Sequence, residues 1–293
     1  MKTTEKPKLA LSQLSRKPSW LKISIDANER YTQTKKIIED HHLHTICSSG
    51  RCPNRGECWG NGTATLMIGG DICTRSCKFC NTQTGRPHPL SPDEPKQVAR
   101  AIQLMHLKHA VITSVDRDDL EDGGANHWAN TIREIKESCP QTTLEVLIPD
   151  FQGNTDSLHL IIKEHPEIIS HNMETVKRLS PLVRSAANYT RSLNVLKYLA
   201  QNGVVTKSGL MLGLGETEEE VIDTMDDLRA VNCQILTLGQ YLQPTLKHWP
   251  VAEYITPAQF EKYKNIGLSK GFRFVESAPL VRSSYHADKH VQK

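Results

Sequence analysis

The sequence predicts an α/β fold, a partial (β/α)6 barrel of the TIM type with an N-terminal and a C-terminal extension. Three observations predict it. Apolar, β-branched runs alternate with amphipathic helical stretches between residues 64 and 275, the pattern of parallel strands joined by right-handed crossovers. Chemically unusual polar segments fall directly after strand ends, at Asp71 to Cys80, Asp116 to Gly124, His171 to Glu174 and Gly213 to Glu216, where such a barrel assembles its site. The units number about six instead of the usual eight, so the barrel is incomplete and open on one side. A doubly wound sheet fits the alternation but gains nothing from the placement of the polar segments.

In chain order, Ala64 to Ile68 reads as a strand, Pro95 to Leu107 as a helix with proline near its first turn, and Ala110 to Val115 as a β-branched strand. Asn126 to Ser138 is amphipathic, Leu144 to Ile148 a strand, Asp156 to Lys163 a helix, and Ile168 to Ser170 a short strand. Tyr189 to Gln201 is a helix that Gly203 terminates. Val204 to Leu212 mixes strand residues with glycines, and Thr217 caps a helix from Glu218 to Val231 whose acidic first turn suits the helix dipole. Gln234 to Leu238, Pro257 to Lys270 and Arg273 to Val275 complete the series as strand, helix and strand. The glycine-dense stretch from Cys47 to Cys80 is expected to be mostly loop.

Composition narrows the function. The chain has 293 residues, 38% apolar and 24% charged, with a net charge of +3, as in an ordinary soluble globular protein. No run approaches the roughly 18 apolar residues of a membrane span. The first 25 residues carry Lys2, Lys6, Lys8, Arg16, Lys17 and Lys22 against Glu5 without an apolar core, so they read as a basic arm and not a secretory signal. A cytoplasmic location follows. The charge is too small for nucleic acid and at most suits an acidic protein partner.

Of eight cysteines, Cys47, Cys52, Cys58, Cys73, Cys77 and Cys80 fall within 34 positions, which in a chain without an export signal favours metal ligation over disulfides. Cys139 and Cys233 stand alone and read as small buried residues. Cys73-Thr-Arg-Ser-Cys77-Lys-Phe-Cys80 supplies three thiolates on a tight loop. Structural zinc usually takes four ligands in spaced pairs, whereas a cubane held by three cysteines leaves one iron open. This segment resembles the radical-SAM superfamily, whose signature is the same triplet with an aromatic residue, here Phe79, before the last cysteine. The resemblance implies a 4Fe-4S cluster whose open iron chelates the amino and carboxylate groups of S-adenosylmethionine (SAM).

The upstream triplet, Cys47-x4-Cys52-x5-Cys58, is spaced differently and is no copy of the first. A second cluster, a structural zinc site and redox-sensitive thiols are all compatible with it alone. Together the two triplets resemble the lipoyl synthase family, whose tail motif Val281-Arg282-Ser283-Ser284-Tyr285-His286-Ala287 also matches; the resemblance spans about residues 40 to 287. It implies an N-terminal extension over 1–62 with auxiliary-cluster cysteines, a barrel over 63–277, and a tail over 278–293 that closes the auxiliary cluster. The ligand from the tail carries over to Ser283, with Ser284 as the alternative; a serine oxygen is a hard ligand among soft ones.

The same resemblance bears on SAM. Gly209-Leu-Met211-Leu-Gly213-Leu-Gly215-Glu216 is similar to a glycine-rich strand supporting the adenine, which marks Gly213 and Glu216. Asp122-Gly123-Gly124-Ala125 resembles the Gly-Gly-Glu element for the SAM amino group, although Ala125 replaces the acid. His171, Asn172 and Glu174 are candidates for the ribose hydroxyls, with helix capping before Val176 as the competing role of Asn172. The acids Asp116, Asp118, Asp119, Glu121 and Asp122 around Arg117 read as a solvated loop with internal ion pairs, and Tyr31, Trp59 and Trp128 as packing residues. The resemblance implies a sulfurtransferase acting on an octanoylated lipoyl-carrier protein domain, fed by an electron donor such as ferredoxin or flavodoxin. Another radical-SAM enzyme with an auxiliary cluster, and a non-catalytic electron-transfer protein, are the competing readings.

Overall fold

Alternation along the strands decides the architecture. In the computed structural model, which describes residues 17–23 and 28–291, the chain runs through α1 (Glu29–Asp40), β1 (His44–Thr45), α2 (Ile46–Ser49), α3 (Arg55–Gly60), β2 (Thr65–Ile68), β3 (Ile72–Cys73) and β4 (Gln83–Thr84). It continues with α4 (Glu94–Leu104), β5 (His109–Ser114), α5 (Ala125–Ser138), β6 (Thr143–Leu147), α6 (Thr155–Lys163), β7 (Ile168–Ser170), α7 (Ser180–Val183) and α8 (Tyr189–Gln201). β8 (Thr206–Leu212), α9 (Glu218–Ala230), β9 (Ile235–Gln240), α10 (Pro257–Ser269) and β10 (Phe274–Ser277) complete it. The basic arm lies, apart from 17–23, outside the described residues.

The eight-stranded sheet has the order β1-β2-β5-β6-β7-β8-β9-β10. Every pairing is parallel except β1 with β2. From β2 to α10 the main sheet and its crossover helices make six strand–helix units, and β10 adds a seventh parallel strand. β1 and β10 are edges that do not pair with each other.

One face of this sheet takes most of the large apolar residues. Leu66, Ile68, Ala110, Ile112, Leu144 and Val146 pack with Ile102 of α4 and Ile132 of α5 in one core; Leu210, Leu212, Leu236 and Leu238 pack with Met225 of α9 and Phe260 of α10 in another. The residues between them, Thr65, Thr113, Glu145, Lys207 and Thr237, point the other way by the two-residue period of a strand. A doubly wound sheet would be apolar on both faces. Here helices cover one face and the other carries these polar side chains, as in a barrel with a functional interior.

The stretch around the first triplet is more regular than its glycine content implies. Cys47 lies in α2 and Cys58 in α3, so the expectation of loop fails there: Thr45 caps α2 by accepting from Ser48 N, and α1 covers α3 through Tyr31 and Trp59, whose rings lie 5.4 Å apart. Trp128 is likewise buried in packing. Among the described residues no helix is long and apolar enough to cross a membrane.

At α9 the predicted cap is a reciprocal box, Thr217 Oγ1 accepting from Glu220 N and the Glu220 carboxylate accepting from Thr217 N. Thr217→Ala is expected to lower unfolding free energy by about 1 kcal/mol, read as a shift in the midpoint of anaerobic denaturant unfolding. An unchanged midpoint would deny the box any net contribution.

Candidate active site

The second cysteine triplet stands where β2 ends. Cys73 closes β3, which pairs with β4, and this two-stranded clip turns the intervening loop back on itself. Backbone amides of Arg75 and Asp116 point at Cys73 Sγ at 3.4 and 3.3 Å, and that of Thr82 at Cys80 Sγ at 3.5 Å. Lys78 N donates to Val183 O and Trp249 N to Lys78 O, both at 2.8 Å, so α7 and the segment after β9 hold the loop from outside. All six clustered cysteines are free thiols.

Inside the loop, Arg75 is caged. Its guanidinium forms two bonds to Asp118, at 2.6 and 2.7 Å, one to Asp150 at 2.7 Å, and lies 3.1 Å from Asp116. Burial alone would lower its pKa; the ion pairs with Asp118, Asp116 and Asp150 outweigh burial and raise it. Asp150, fully buried, stays below the usual carboxylate range because the Arg75 bond overcomes its desolvation. The acid run after β5 is therefore only partly internal: Arg117 pairs with Asp119 and the Asp122 carboxylate accepts from Gly124 N and Asn126 N, but Asp116 and Asp118 reach back to Arg75.

Thiols and strand ends share a cavity of about 170 Å³ lined by Cys73, Cys77, Cys80, Asp116, Asn172 and Glu174, among others. Asn172 and Glu174 are partly exposed to it while Met173 and Thr175 between and beside them are buried. Glu174 takes a positive φ of 65°, an uncommon conformation for a non-glycine residue, held by Glu174 N donating to Gly209 O and Met211 N donating to Glu174 O. Burial raises the Glu174 pKa against the pull of Arg184. His171 is committed elsewhere: its ring bonds Ile148 O and Ser192 Oγ, both at 2.9 Å, and burial followed by Arg184 brings its pKa down to about 4. A neutral ring with both nitrogens used has nothing left for a ribose.

The first triplet faces a different cavity, about 430 Å³, whose walls include Cys47, Cys52, Cys58, Thr65, Arg282 and Ser284. Two segments far apart in sequence, residues 54–65 and 280–285, meet here. Asn54 Nδ2 donates to Leu280 O at 2.7 Å, Tyr285 OH to Glu57 at 3.0 Å, and Thr65 Oγ1 to Ser284 Oγ at 2.7 Å. The tail lies close on the sheet because Gly239 has no side chain; a Cβ there would stand 2.0 Å from Val281 O. The meeting point is not the C-terminal mouth of the strands. β1 runs antiparallel to β2, so the chain leaving Thr45 is sent toward the start of β2.

Adjacent serines of the tail part company. Ser284 lines the cavity of the first triplet, whereas Ser283 Oγ accepts from Asn172 Nδ2 at 2.8 Å and is not on that cavity's wall. Asn172 Nδ2 also donates to Glu174 at 3.1 Å, so Asn172 caps no helix and instead ties the tail to the second triplet's cavity.

Four glycine-motif residues are not on either cavity wall. Gly123 and Gly124, with φ of 62° and 86°, form the turn that starts α5, and Ala125 is fully buried in the core. Gly213 has φ of 94°, and a Cβ there would stand 2.3 Å from both Gln240 Nε2 and the Glu253 carbonyl oxygen. The Glu216 carboxylate accepts from Gly213 N and Leu214 N, so it closes its own turn. Sequence reasoning missed Arg75, Arg184, Thr65 and Asn54; only Arg75 carried a signal, as a lone cation inside a thiol loop.

Both triplets have the donor chemistry of iron–sulfur ligands, although among the described residues no three His, Cys, Asp or Glu side chains are gathered as a single metal ion would need. All six thiol pKa values are raised, burial being the largest cause for each; Cys58 and Cys73 are pushed up to about 12. Such thiols need a cationic core to become thiolates, and amide donors aimed at sulfur are what a cluster ligand retains after giving up its proton.

The chain matches the radical SAM superfamily model over residues 67–228. It is similar to a lipoyl synthase of Bacteroides thetaiotaomicron, 71% identical over 277 residues that cover 94% of this chain and 98% of that protein. A lipoyl synthase of Porphyromonas gingivalis is 60% identical over 282 residues, 96% of this chain and all of the relative. Among solved structures, Streptococcus suis SuiB bound to S-adenosylmethionine superposes with a TM-score of 0.58 at 11% identity, covering 78% of this chain and 55% of that one. Methylornithine synthase gives 0.52 at 12% identity, with 84% and 81% covered. These structures speak for the fold alone, a radical SAM α/β fold with a mostly parallel central sheet. By the family model and the curated relatives, the chain belongs to the radical SAM superfamily and, within it, to the lipoyl synthase family.

Proposed function

We propose that this protein inserts two sulfur atoms, at carbons 6 and 8 of an octanoyl chain carried on a lysine of a lipoyl-carrier protein domain, consuming one SAM at each carbon. One observation carries the reading: two separate sets of three free thiols each line a cavity of their own, and the Ser283–Ser284 peptide lies between them. A protein-borne substrate and an electron donor such as ferredoxin or flavodoxin are the partners, in the cytoplasm.

The carbons concerned have no acidic C–H bond, so a base has nothing to work on and a radical is needed. When bound, a 4Fe-4S cluster on Cys73, Cys77 and Cys80 supplies the electron that splits SAM into methionine and a 5'-deoxyadenosyl radical, while a second one on the other triplet is the sulfur-bearing substrate. The chain's own residues position and shield. Arg75 fixes the thiol loop through Asp118 and Asp150, an arrangement in which the thiols need no reorganisation when SAM binds. Asn172 and Glu174 present hydrogen-bonding groups to the ribose hydroxyls. Asp116, 3.6 Å from Cys73 Sγ and on the cavity wall, supplies the carboxylate for the SAM amino group that Ala125 lacks. Phe79, Met67, Val115 and Leu147 exclude water from the cavity, which protects a radical from unwanted hydrogen donors.

Around the first triplet, Cys47, Cys52 and Cys58 provide three ligands and the tail the fourth. Ser284 is the serine that faces them, which favours it over Ser283. Thr65 Oγ1 orients its oxygen, and Ser283 serves as a tether to Asn172.

Anaerobically reconstituted protein is expected to hold about eight irons, two cubanes' worth, and Cys77→Ala to lose 5'-deoxyadenosine formation by at least about a hundredfold, by liquid chromatography. A ceiling near four irons, or undiminished SAM cleavage in the variant, would overturn the two-cluster reading. Ser284→Ala should keep SAM cleavage yet lose lipoyl product by mass spectrometry, while Ser283→Ala retains product. The opposite pattern returns the ligand role to Ser283.

A further inference from the structure

The segment after β9 is held unusually firmly for a surface loop. His248 bonds Cys80 O at 2.9 Å, Trp249 Nε1 donates to Leu214 O at 3.0 Å, Tyr241 OH to Trp249 O at 2.7 Å, and Gln243 Nε2 to His248 O at 3.0 Å. At the tip of this anchored loop Leu246 is 81% exposed, well above Trp20 at 39%, Ile23 at 41% and Leu268 at 43%, the other exposed large apolar residues described. A loop fixed at both shoulders does not present a leucine to water through slackness. Exposed apolar side chains rimmed by charge are a feature of contact surfaces.

The rim is basic. Lys247 is exposed beside Leu246; Arg51, also exposed, donates from Nη1 to Pro244 O at 3.4 Å; the exposed Lys78 holds its ammonium 5.7 Å from the Trp249 ring centroid. The three segments that meet here, residues 46–56, 72–92 and 241–252, contain no Asp or Glu at all. In a chain with 33 acids against 36 Lys and Arg, that is a local field and not the average one. It lies beside the loop bearing Cys77 and Cys80, whose cavity side meets Asp116 and Glu174.

We infer that Leu246, Lys247, Arg51 and Lys78 form the docking surface for the carrier domain, and that the partner they fit is acidic, with an apolar side chain to cover Leu246. The inference rests on the proposed function, because only a substrate delivered on a protein requires a docking surface beside the thiol loop. Complementary charge speeds encounter and sets register, and the covered leucine supplies burial at the centre of the contact.

Steady-state kinetics with two substrates test it: an octanoylated carrier domain of net negative charge, and a short octanoyl-lysyl peptide free of Asp and Glu. Leu246→Asp and Lys247→Glu are each expected to raise KM for the domain about tenfold at low salt, with kcat little changed. Peptide KM and carrier-free 5'-deoxyadenosine formation stay at the wild-type level. Domain KM unchanged in both variants, or peptide and domain turnover lost together, overturns the docking surface. Wild-type protein that makes no lipoyl product from either substrate overturns the parent reading, an outcome distinct from variants that fail to discriminate.

Discussion

A thiolate taken out of water loses hydration that an amide or hydroxyl donor only partly replaces, so a buried cysteine keeps its proton unless a cation sits beside it. Six cysteines of this chain are in that position, with burial the main reason their pKa values are raised. The neighbouring acids aggravate it: Asp116 adds to the rise at Cys73 and Glu57 to that at Cys58. What surrounds the thiols follows from this. Arg75 neutralises the carboxylates crowded against the second triplet without touching a sulfur through its guanidinium, and Arg282 offsets part of the cost at Cys52. Most of the cationic charge near the thiols answers the acids, so the protein's own side chains leave the thiols largely uncompensated.

The tail faces a separate difficulty, since ordering the last residues of a chain against its first third costs conformational entropy that contacts must offset. Its anchor is a buried polar group on the inner face of the sheet. Lys207 and Glu145 pair at 2.9 Å with almost no exposure, Ser170 Oγ donates to Glu145 at 2.7 Å, and His290 Nδ1 lies 3.4 Å from Lys207 Nζ. Burial, then Lys207, brings the His290 pKa down to about 3, so the ring is neutral and accepts from the ammonium. With His290 held at one end and Asn54 holding Leu280 at the other, the Arg282–Ser284 stretch is pinned between two fixed points.

The strand–helix alternation was legible because residues such as those of β7 and α8 carry an apolar pattern strong enough to fix both type and boundaries: Tyr189–Gln201 and Ile168–Ser170 match the sequence reading residue for residue, while β5 lies one residue earlier than read, at His109–Ser114. α1 was not, since its mean composition is polar and its few buried residues, Thr34 and Ile38 among them, include a threonine. The grouping of the cysteines was readable because their spacing is local, and the two triplets do line two separate cavities. Each glycine of the motifs answers a backbone need that spacing alone does not report: Gly213 makes room for Gln240 and Gly124 starts a helix. The choice between Ser283 and Ser284 depends on where two neighbouring side chains point, and spacing is silent on that.

The sheet itself joins the two cavities. On β2, Thr65 lines the cavity of the first triplet and Met67, next on the same face, lines that of the second; on β5, Val111 and Thr113 divide in the same way. Four residues of β2 span roughly 13 Å, so the two thiol sets stand at opposite ends of one short strand and open onto its single inward face. α2 closes the gap outside it, with Asn81 Nδ2 donating to Ser49 O at 2.7 Å. An unbranched alkyl chain is the kind of substrate such a spacing admits, since it is flexible, extended and without polar atoms to satisfy. The antiparallel β1 is what makes this possible, because a parallel first strand would have carried Cys47 toward the thiols at Cys73.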